Sequence, residues 1–340
     1  MTSASTAPLQ TAFCRLLGID LPLANAPIGT ASSPELAAAV SNAGGLGMMA
    51  VSFMKDPDDL RRAVRRVREL TDRPFAANLL LEWPQEERLR ICLEEKVPVI
   101  SLFWGDPTPH VAAIHRAGAR LMHTVGTADE ALHVTRAGAD VVVAQGWEAG
   151  GHVRDQISTM ALVPRVVDAV GSTPVVAAGG IADGRGVAAV LALGACGAAL
   201  GTRFLASPEA AVPQLYRDLV LSADTGDTVF GETFDKGWPD SNMRTLLNST
   251  LRNWIAAGRP PIGRRPGEND EVARDAAGTP IERYHVTQPF PGIEGDFEAL
   301  ALYAGQSVGL VRDVRPAGEI VRRLAAEAIA ALRGAGRLAG

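Results

Sequence analysis

The sequence predicts an α/β protein, a (β/α)8 barrel with an appended, mostly helical subdomain covering the substrate site, and three observations predict it. A helical pattern that ends in Gly and passes almost at once into a short apolar run recurs at AVSNAGGLGMM, HRAGARLMH, TRAGADVVVAQ and LALGACGAALG. Eight apolar runs occur along the chain, continuously apolar rather than alternating, as parallel strands covered on both faces require. The 340 residues exceed the roughly 250 of a single barrel and leave room for an excursion. A doubly wound open sheet is the competing arrangement, and the strand count favours the barrel.

Each recurrent phrase is a helix-to-strand joint. Gly44, Gly118, Gly138 and Gly194 suit the position just past a helix, where a positive φ is cheap only without a Cβ. The expected strands span 22–28, 46–52, 75–81, 97–104, 119–125, 140–146, 173–180 and 196–203. Helical patterns lie between them. Ser33 caps one with Pro34 in its first turn, Leu60, Val64, Val67 and Leu70 share the face of another, and Thr127 with Glu130 forms a capping box at a third.

From about Ser222 the chain turns rich in Gly, Pro and Asn, yet Trp238, Trp254, Tyr284 and Phe290 punctuate it, so it reads as a substrate-covering subdomain rather than a linker. The expected organisation is a barrel with the cofactor site over 1–221, an inserted helical and loop subdomain over 222–295, and C-terminal helices over 296–340 that pack back on the barrel.

Composition narrows the function. With 47% hydrophobic and 21% charged residues the chain can bury a full core. A net charge of -5 gives no general attraction to nucleic acid or to an anionic membrane. Cys14, Cys92 and Cys196 are far apart without ligand spacing, so neither a disulfide framework nor a metal site is expected. The N-terminus lacks a basic segment leading into an apolar one, and no run approaches the ~20 apolar residues of a membrane helix, so the expected location is the cytoplasm.

In a barrel of this kind chemistry sits in the loops after the strands. The loops after the seventh and eighth strands, AAGGIADGRG and GTRFLAS, offer the backbone N–H groups of Gly179, Gly180, Gly201 and Thr202, at the adjacent pair of loops where barrels commonly hold a phosphate. The loop after the sixth strand, AQGWEAGGHVRDQ, carries Gly150 and Gly151, which would let a flat ligand lie on the backbone, and then His152, the best candidate for a general base. Glu148 is either a second base or a loop-orienting group. His110, His115, His123, His133 and His285 read as solvated or structurally satisfied. After the first strand, Asn25 supplies an amide and Pro27 stiffens the turn.

The motifs NAPI, QGWEAGGH, PVVAAGGIADGRG, GAALGTRFLAS and LYAGQSVGLV together resemble the nitronate monooxygenase family, the 2-nitropropane dioxygenases, which are FMN-binding TIM-barrel flavoproteins; the resemblance runs from about residue 20 to 330. It implies that Ala26, Pro27 and Ile28 line the flavin ring, that Asn78 and Thr124 approach it, and that Gln145, Gly150 and Gly151 hold the ring and ribityl chain. It further implies that Ala178, Gly179, Gly180, Gly201 and Thr202 hold the phosphate, and that His152 is the catalytic histidine. Relatives can carry Lys where Thr124 stands, and many have a small residue where Val153, Arg154 and Asp155 follow His152. The implied activity is oxidation of alkyl nitronates, and of nitroalkanes, by O2 to a carbonyl compound and nitrite. The alternative is an NAD(P)H-dependent flavin enzyme reducing a quinone or an enoyl thioester, and a third reading is a flavin-binding protein without turnover. Trp238 and Arg244 are expected over the flavin, and the chain is expected to act as a monomer or homodimer.

Overall fold

The computed structural model describes residues 9–54 and 56–338; residues 1–8 of the N-terminal reading and of the 1–221 unit, and the last two of the 296–340 unit, lie outside it. A short helix α1 (Ala12–Leu17) precedes the first strand, β1 (Leu23–Asn25). Strands and helices then alternate: α2 (Pro34–Asn42), β2 (Gly47–Ala50), α3 (Pro57–Leu70), β3 (Phe75–Leu80), α4 (Glu86–Glu94), β4 (Val99–Phe103), α5 (Thr108–Arg116), β5 (Arg120–Val125), α6 (Ala128–Ala137) and β6 (Val141–Gln145). A two-residue strand β7 (Gly151–His152) precedes α7 (Thr159–Val170), β8 (Val175–Ala178), α8 (Gly184–Ala192) and β9 (Gly197–Leu200).

The eight long strands form one parallel sheet ordered β1-β9-β8-β6-β5-β4-β3-β2. Its ends meet through a bridge between Ala24 and Leu46, so the sheet is a nearly closed barrel. Strand boundaries fall inside the expected runs because apolar composition continues past the paired segment: residues 26–28 and 179–180 are loop, and Thr202 opens a short helix, α9 (Thr202–Leu205).

Alternation along each strand sorts the core into two shells. Ala24, Met48, Ala76, Val99, Met122, Val143, Val176 and Ala199 fill the interior, and Phe13, Cys14 and Leu17 of α1 pack with them. Leu23, Met49, Ala77, Ile100, Leu121 and Val142 face the helices. The expected caps form: the Ser33 hydroxyl accepts from the Leu36 N–H and the Thr127 hydroxyl from the Glu130 N–H. The Glu130 carboxylate accepts from Gly126 N–H rather than from its own cap residue. Cys14 and Cys92 are buried free thiols, and burial pushes the Cys92 thiol up to about 12.

After β9 the chain continues through α9 and α10 (Gln214–Ser222) into β10 (Thr228–Gly231), β11 (Met243–Leu246), α11 (Ser249–Ala256), β12 (Glu271–Arg274), β13 (Pro280–Glu282) and β14 (Glu294–Gly295). This excursion is less helical than expected. Within 222–295 helix is confined to the end of α10 and to α11, and short antiparallel strands supply the remaining regular structure. Turn-forming Gly and Pro every few residues break any longer helix. The C-terminal helix α12 (Ala317–Gly336) packs between α8 and α2, in the helical layer position that follows β9.

Candidate active site

The inward-facing residues become small or polar toward the strand C-termini: Ala50, Asn78, Ser101, Thr124, Gln145 and Ala178. They leave the upper barrel unfilled. A cavity of about 750 Å³ opens there, also lined by residues from 275–290 of the excursion and by Tyr303, Gly305 and Ser307 beyond it. Its volume lies in the range of cofactor and substrate sites.

His152 lies on β7, which pairs antiparallel with β11 and sets His152 opposite Met243 and Gly151 opposite Arg244. Gln145 fixes this strand from below: its Nε2 donates to the His152 carbonyl at 3.0 Å and its Oε1 accepts from the Arg154 N–H at 3.1 Å. The imidazole stacks on the Trp238 indole, centroids 3.9 Å apart, with the Tyr303 ring 5.5 Å away. Its Nε2 is buried with no hydrogen-bond partner among the described residues. Burial away from any stabilising charge lowers its pKa to about 3, so the ring is neutral through the physiological range.

The glycines divide by what their missing Cβ would meet. At Gly151 a Cβ would find open space, at Gly201 only Ala26 at 3.7 Å, and at Gly180 the Glu148 side chain at 3.3 Å; all three line the cavity. Gly179 and Gly180 are both left-handed, with φ of 100° and 72°, and a Cβ on Gly179 would stand 2.8 Å from the Gly146 carbonyl. Gly150 lines the cavity as well and is also tightly packed, since a Cβ there would lie 2.4 Å from the Gly305 nitrogen. The Thr202 hydroxyl accepts from that same Gly305 N–H at 2.9 Å, tying the start of α9 to the 303–307 segment.

Of the other expected residues, Ala26, Pro27, Ile28, Asn78, Thr124, Gln145, Ala178 and Thr202 line the cavity. Asn78 Nδ2 is held by the Ser101 hydroxyl at 3.1 Å. Asn25 does not line it. With Leu23 outward and Ala24 inward, alternation turns Asn25 toward β2, where its amide donates to the Met48 carbonyl and accepts from the Met48 N–H, both at 2.8 Å. That side chain joins the two ends of the barrel sheet.

Glu148 is a helix-capping residue, accepting from the backbone N–H and hydroxyl of Thr159 at the start of α7, each at 2.9 Å. Arg244 does not reach the cavity either. Its guanidinium donates to the Trp147 carbonyl at 2.9 Å and lies over the Trp147 and Phe230 rings, supporting the loop before His152. Trp238 both lines the cavity and is 2% exposed, so it is at once a core anchor and a site wall. Arg154 points away, paired with Glu130 at 2.7 Å and set over Trp104. His115 and His133 pair with Asp140 and Asp106. His285 lines the cavity, with Nδ1 engaged by the Thr287 hydroxyl.

Residues not singled out from the sequence also line the cavity: Trp83, Gln85, Arg88, Ser101 and Ser307. Trp83 follows the third strand directly, the one signal that could have marked it. No group of three or more His, Cys, Asp or Glu suited to a metal occurs among the described residues, and none of the described helices is long and apolar enough to cross a membrane.

The nitronate monooxygenase family profile matches residues 10–88 and 82–327. The chain belongs to the nitronate monooxygenase family. It is therefore an oxidoreductase. The chain is 35% identical to a nitronate monooxygenase of Paraburkholderia phytofirmans, over 94% of this chain and 95% of that one. It is 32% identical, over 97% and 99%, to a (3aS,4S,5R,7aS)-5-hydroxy-7a-methyl-1-oxo-octahydro-1H-indene-4-carboxyl-CoA dehydrogenase of Mycobacterium tuberculosis. The solved structure of FabK from Thermotoga maritima superposes with a TM-score of 0.78 at 35% identity, covering 96% of this chain and 99% of that one. In this nitronate monooxygenase family member, His152 and the Gly179–Gly180 and Gly201–Thr202 loops lie around one cavity.

Proposed function

We propose that this chain is an FMN-dependent enzyme that oxidises alkyl nitronates, and nitroalkanes through their nitronates, with O2 to a carbonyl compound and nitrite. The observation that carries the reading is the neutral, buried His152 imidazole beside a cavity that Gly151, Gly179, Gly180 and Gly201 also line. The open space beside Gly151 and Gly201 is the fit expected of a cofactor packed against backbone. On this reading Ala178, Gly179, Gly180, Gly201 and Thr202 hold the phosphate, and Ala26, Pro27, Ile28, Asn78, Thr124, Gln145, Gly150 and Gly151 surround the ring and ribityl chain. The bound flavin would supply the electron-transfer and oxygen chemistry that no side chain provides.

The residues of the chain handle the proton and the substrate charge. His152, unprotonated, accepts the proton from the α-carbon of a neutral nitroalkane. The resulting imidazolium stands beside an anionic nitronate, and their attraction offsets the burial that holds the free imidazole near pKa 3. With a preformed nitronate that proton is already gone, and the imidazole serves to hydrogen-bond the nitro oxygens. Trp238, Trp83 and Phe103 exclude water from the reacting carbon.

A second reading, NAD(P)H-dependent reduction of an enoyl thioester, is favoured by the 32% identity to a CoA-ester dehydrogenase across almost the whole chain. Anaerobic mixing of the flavin-loaded protein with ethyl nitronate, NADH and NADPH in turn separates the two. Bleaching by nitronate alone is expected, and bleaching only by a nicotinamide would replace the first reading with the second.

A further inference from the structure

A row of aromatic rings leads from His152 to the surface. Trp238 stacks on the imidazole, Trp83 meets Trp238 edge-on at 4.7 Å, Phe53 meets Trp83 at 5.7 Å, and Phe53 is 49% exposed. At its outer end lies Arg88, in the first turn of α4, whose Nε donates to the carbonyl of Met54 at 2.9 Å. The two terminal nitrogens of Arg88 have no hydrogen-bond or ion-pair partner among the described residues. Other inward-turned arginines are engaged: Arg203 with Asp313, Arg265 with Asp235 and Glu268, and Arg244 with the Trp147 carbonyl. Among the described residues lining the cavity, Arg88 is the only Lys or Arg.

A second polar group at this end is also unmatched. Gln85, the residue before α4, is 3% exposed, lines the cavity, and has an Oε1 with no partner. A buried acceptor without a donor is unfavourable, a cost relieved when a ligand brings the donor.

We infer that Arg88 and Gln85 receive the far end of the substrate, an anionic oxygen group (carboxylate or phosphate) flanked by a hydrogen-bond donor, while the apolar body lies along Trp238, Trp83 and Phe53. This deepens the proposed function and rests on it only for the direction, with His152 at the reacting end. The guanidinium fork offers two parallel N–H donors to two oxygens. Arg88 is thus a specificity-determining residue for amphipathic nitronates that carry a second, distal anionic group rather than for short nitronates without one.

The test uses the flavin-loaded full chain and three nitronates of one length: that of nitrohexane, of its ω-carboxylate and of its ω-phosphate. In the wild type at least one substrate with an ω-anion should have a KM roughly tenfold or more below the one without it. In Arg88→Met that ratio should fall toward one, with Arg88→Lys restoring part of it; the carboxylate and phosphate arms show which anion is meant. An equal ratio in wild type and Arg88→Met, or no preference for the ω-anion in the wild type, would overturn the assignment. Calorimetric titration with decanoate and decyl phosphate, which do not react, reads the same site without turnover. Arg88-dependent binding there in a protein inert to nitronates would sink the nitronate reading and keep this one.

Discussion

The imidazole of His152 lies nearly parallel to the indole of Trp238, their centroids 3.9 Å apart and their planes 23° from coplanar. The contact brings a residue of the sixth strand's loop against one from the excursion 86 positions on, and it is part of the burial that keeps the histidine neutral. Trp238→Ala should therefore act on both stability and pH dependence. Loss of a buried Trp is expected to cost about 3–5 kcal/mol. Exposure of the ring should raise its pKa from about 3 toward the ordinary histidine value, so the acidic limb of kcat/KM on a nitroalkane should move toward neutrality. An unmoved limb in a folded, flavin-loaded variant would show that Trp238 does not control His152.

His152→Asn should lose about 10²–10⁴-fold on neutral nitroalkanes and far less on preformed nitronates, since only the former require removal of a carbon-bound proton. In the wild type the base must be unprotonated, so activity is full well above pH 3 and falls as pH descends through it. Kinetics on both substrates with flavin content measured decide this. Equal loss on both leaves His152 a binding residue, and no loss on either removes it from the site.

Two glycine variants separate ligand contact from fold. Gly201→Val meets no left-handed φ, and its Cβ would have only Ala26 at 3.7 Å, so it should fold normally yet release FMN. Gly179→Ala forces a Cβ to 2.8 Å from the Gly146 carbonyl at φ 100°, so it should lower stability as well. Mass spectrometry of the released cofactor beside thermal melting checks both. Full FMN in Gly201→Val would refute the proposed phosphate loop.

Asn25→Ala should cost stability rather than remove a cofactor contact. It leaves the Met48 N–H and carbonyl without their side-chain partner at the seam of the sheet, a loss of about 2–4 kcal/mol. Denaturant unfolding measures it. A stability loss below about 1 kcal/mol would show that the seam does not depend on this amide.

His123, turned outward from β5 beneath the helices, has its pKa lowered to about 4 by burial, with Nδ1 unpartnered. The unfolded chain takes up the proton first, near pH 6.5. Stability is therefore retained above that pH and falls as pH descends toward 4, by about 1 kcal/mol per unit. His123→Leu should flatten the decline between pH 6.5 and 4, read from unfolding curves across that window. An unchanged slope would place the acid sensitivity elsewhere.

What the sequence determined by itself was whatever local physics controls. Glycines past helix ends, caps such as Ser33 and Thr127, and eight continuously apolar runs are written within a few residues of where they act, and they were enough for the parallel barrel. They also placed Gly179, Gly180, Gly201 and His152 in loops that surround one cavity. Side-chain direction was decided only in three dimensions. Asn25 of β1 and Asn78 of β3 look alike in sequence, yet opposite parity sends one to the barrel seam and the other into the cavity. Gly150 and Gly151 are adjacent, but backbone from residues 304–305 fills the space beside the first and leaves the second open. Arg244 and Trp238 share one motif, and pairing of β11 with β7 lets only the tryptophan reach His152. Packing across such distances depends on which remote segment arrives at a side chain, and no local pattern encodes that neighbour.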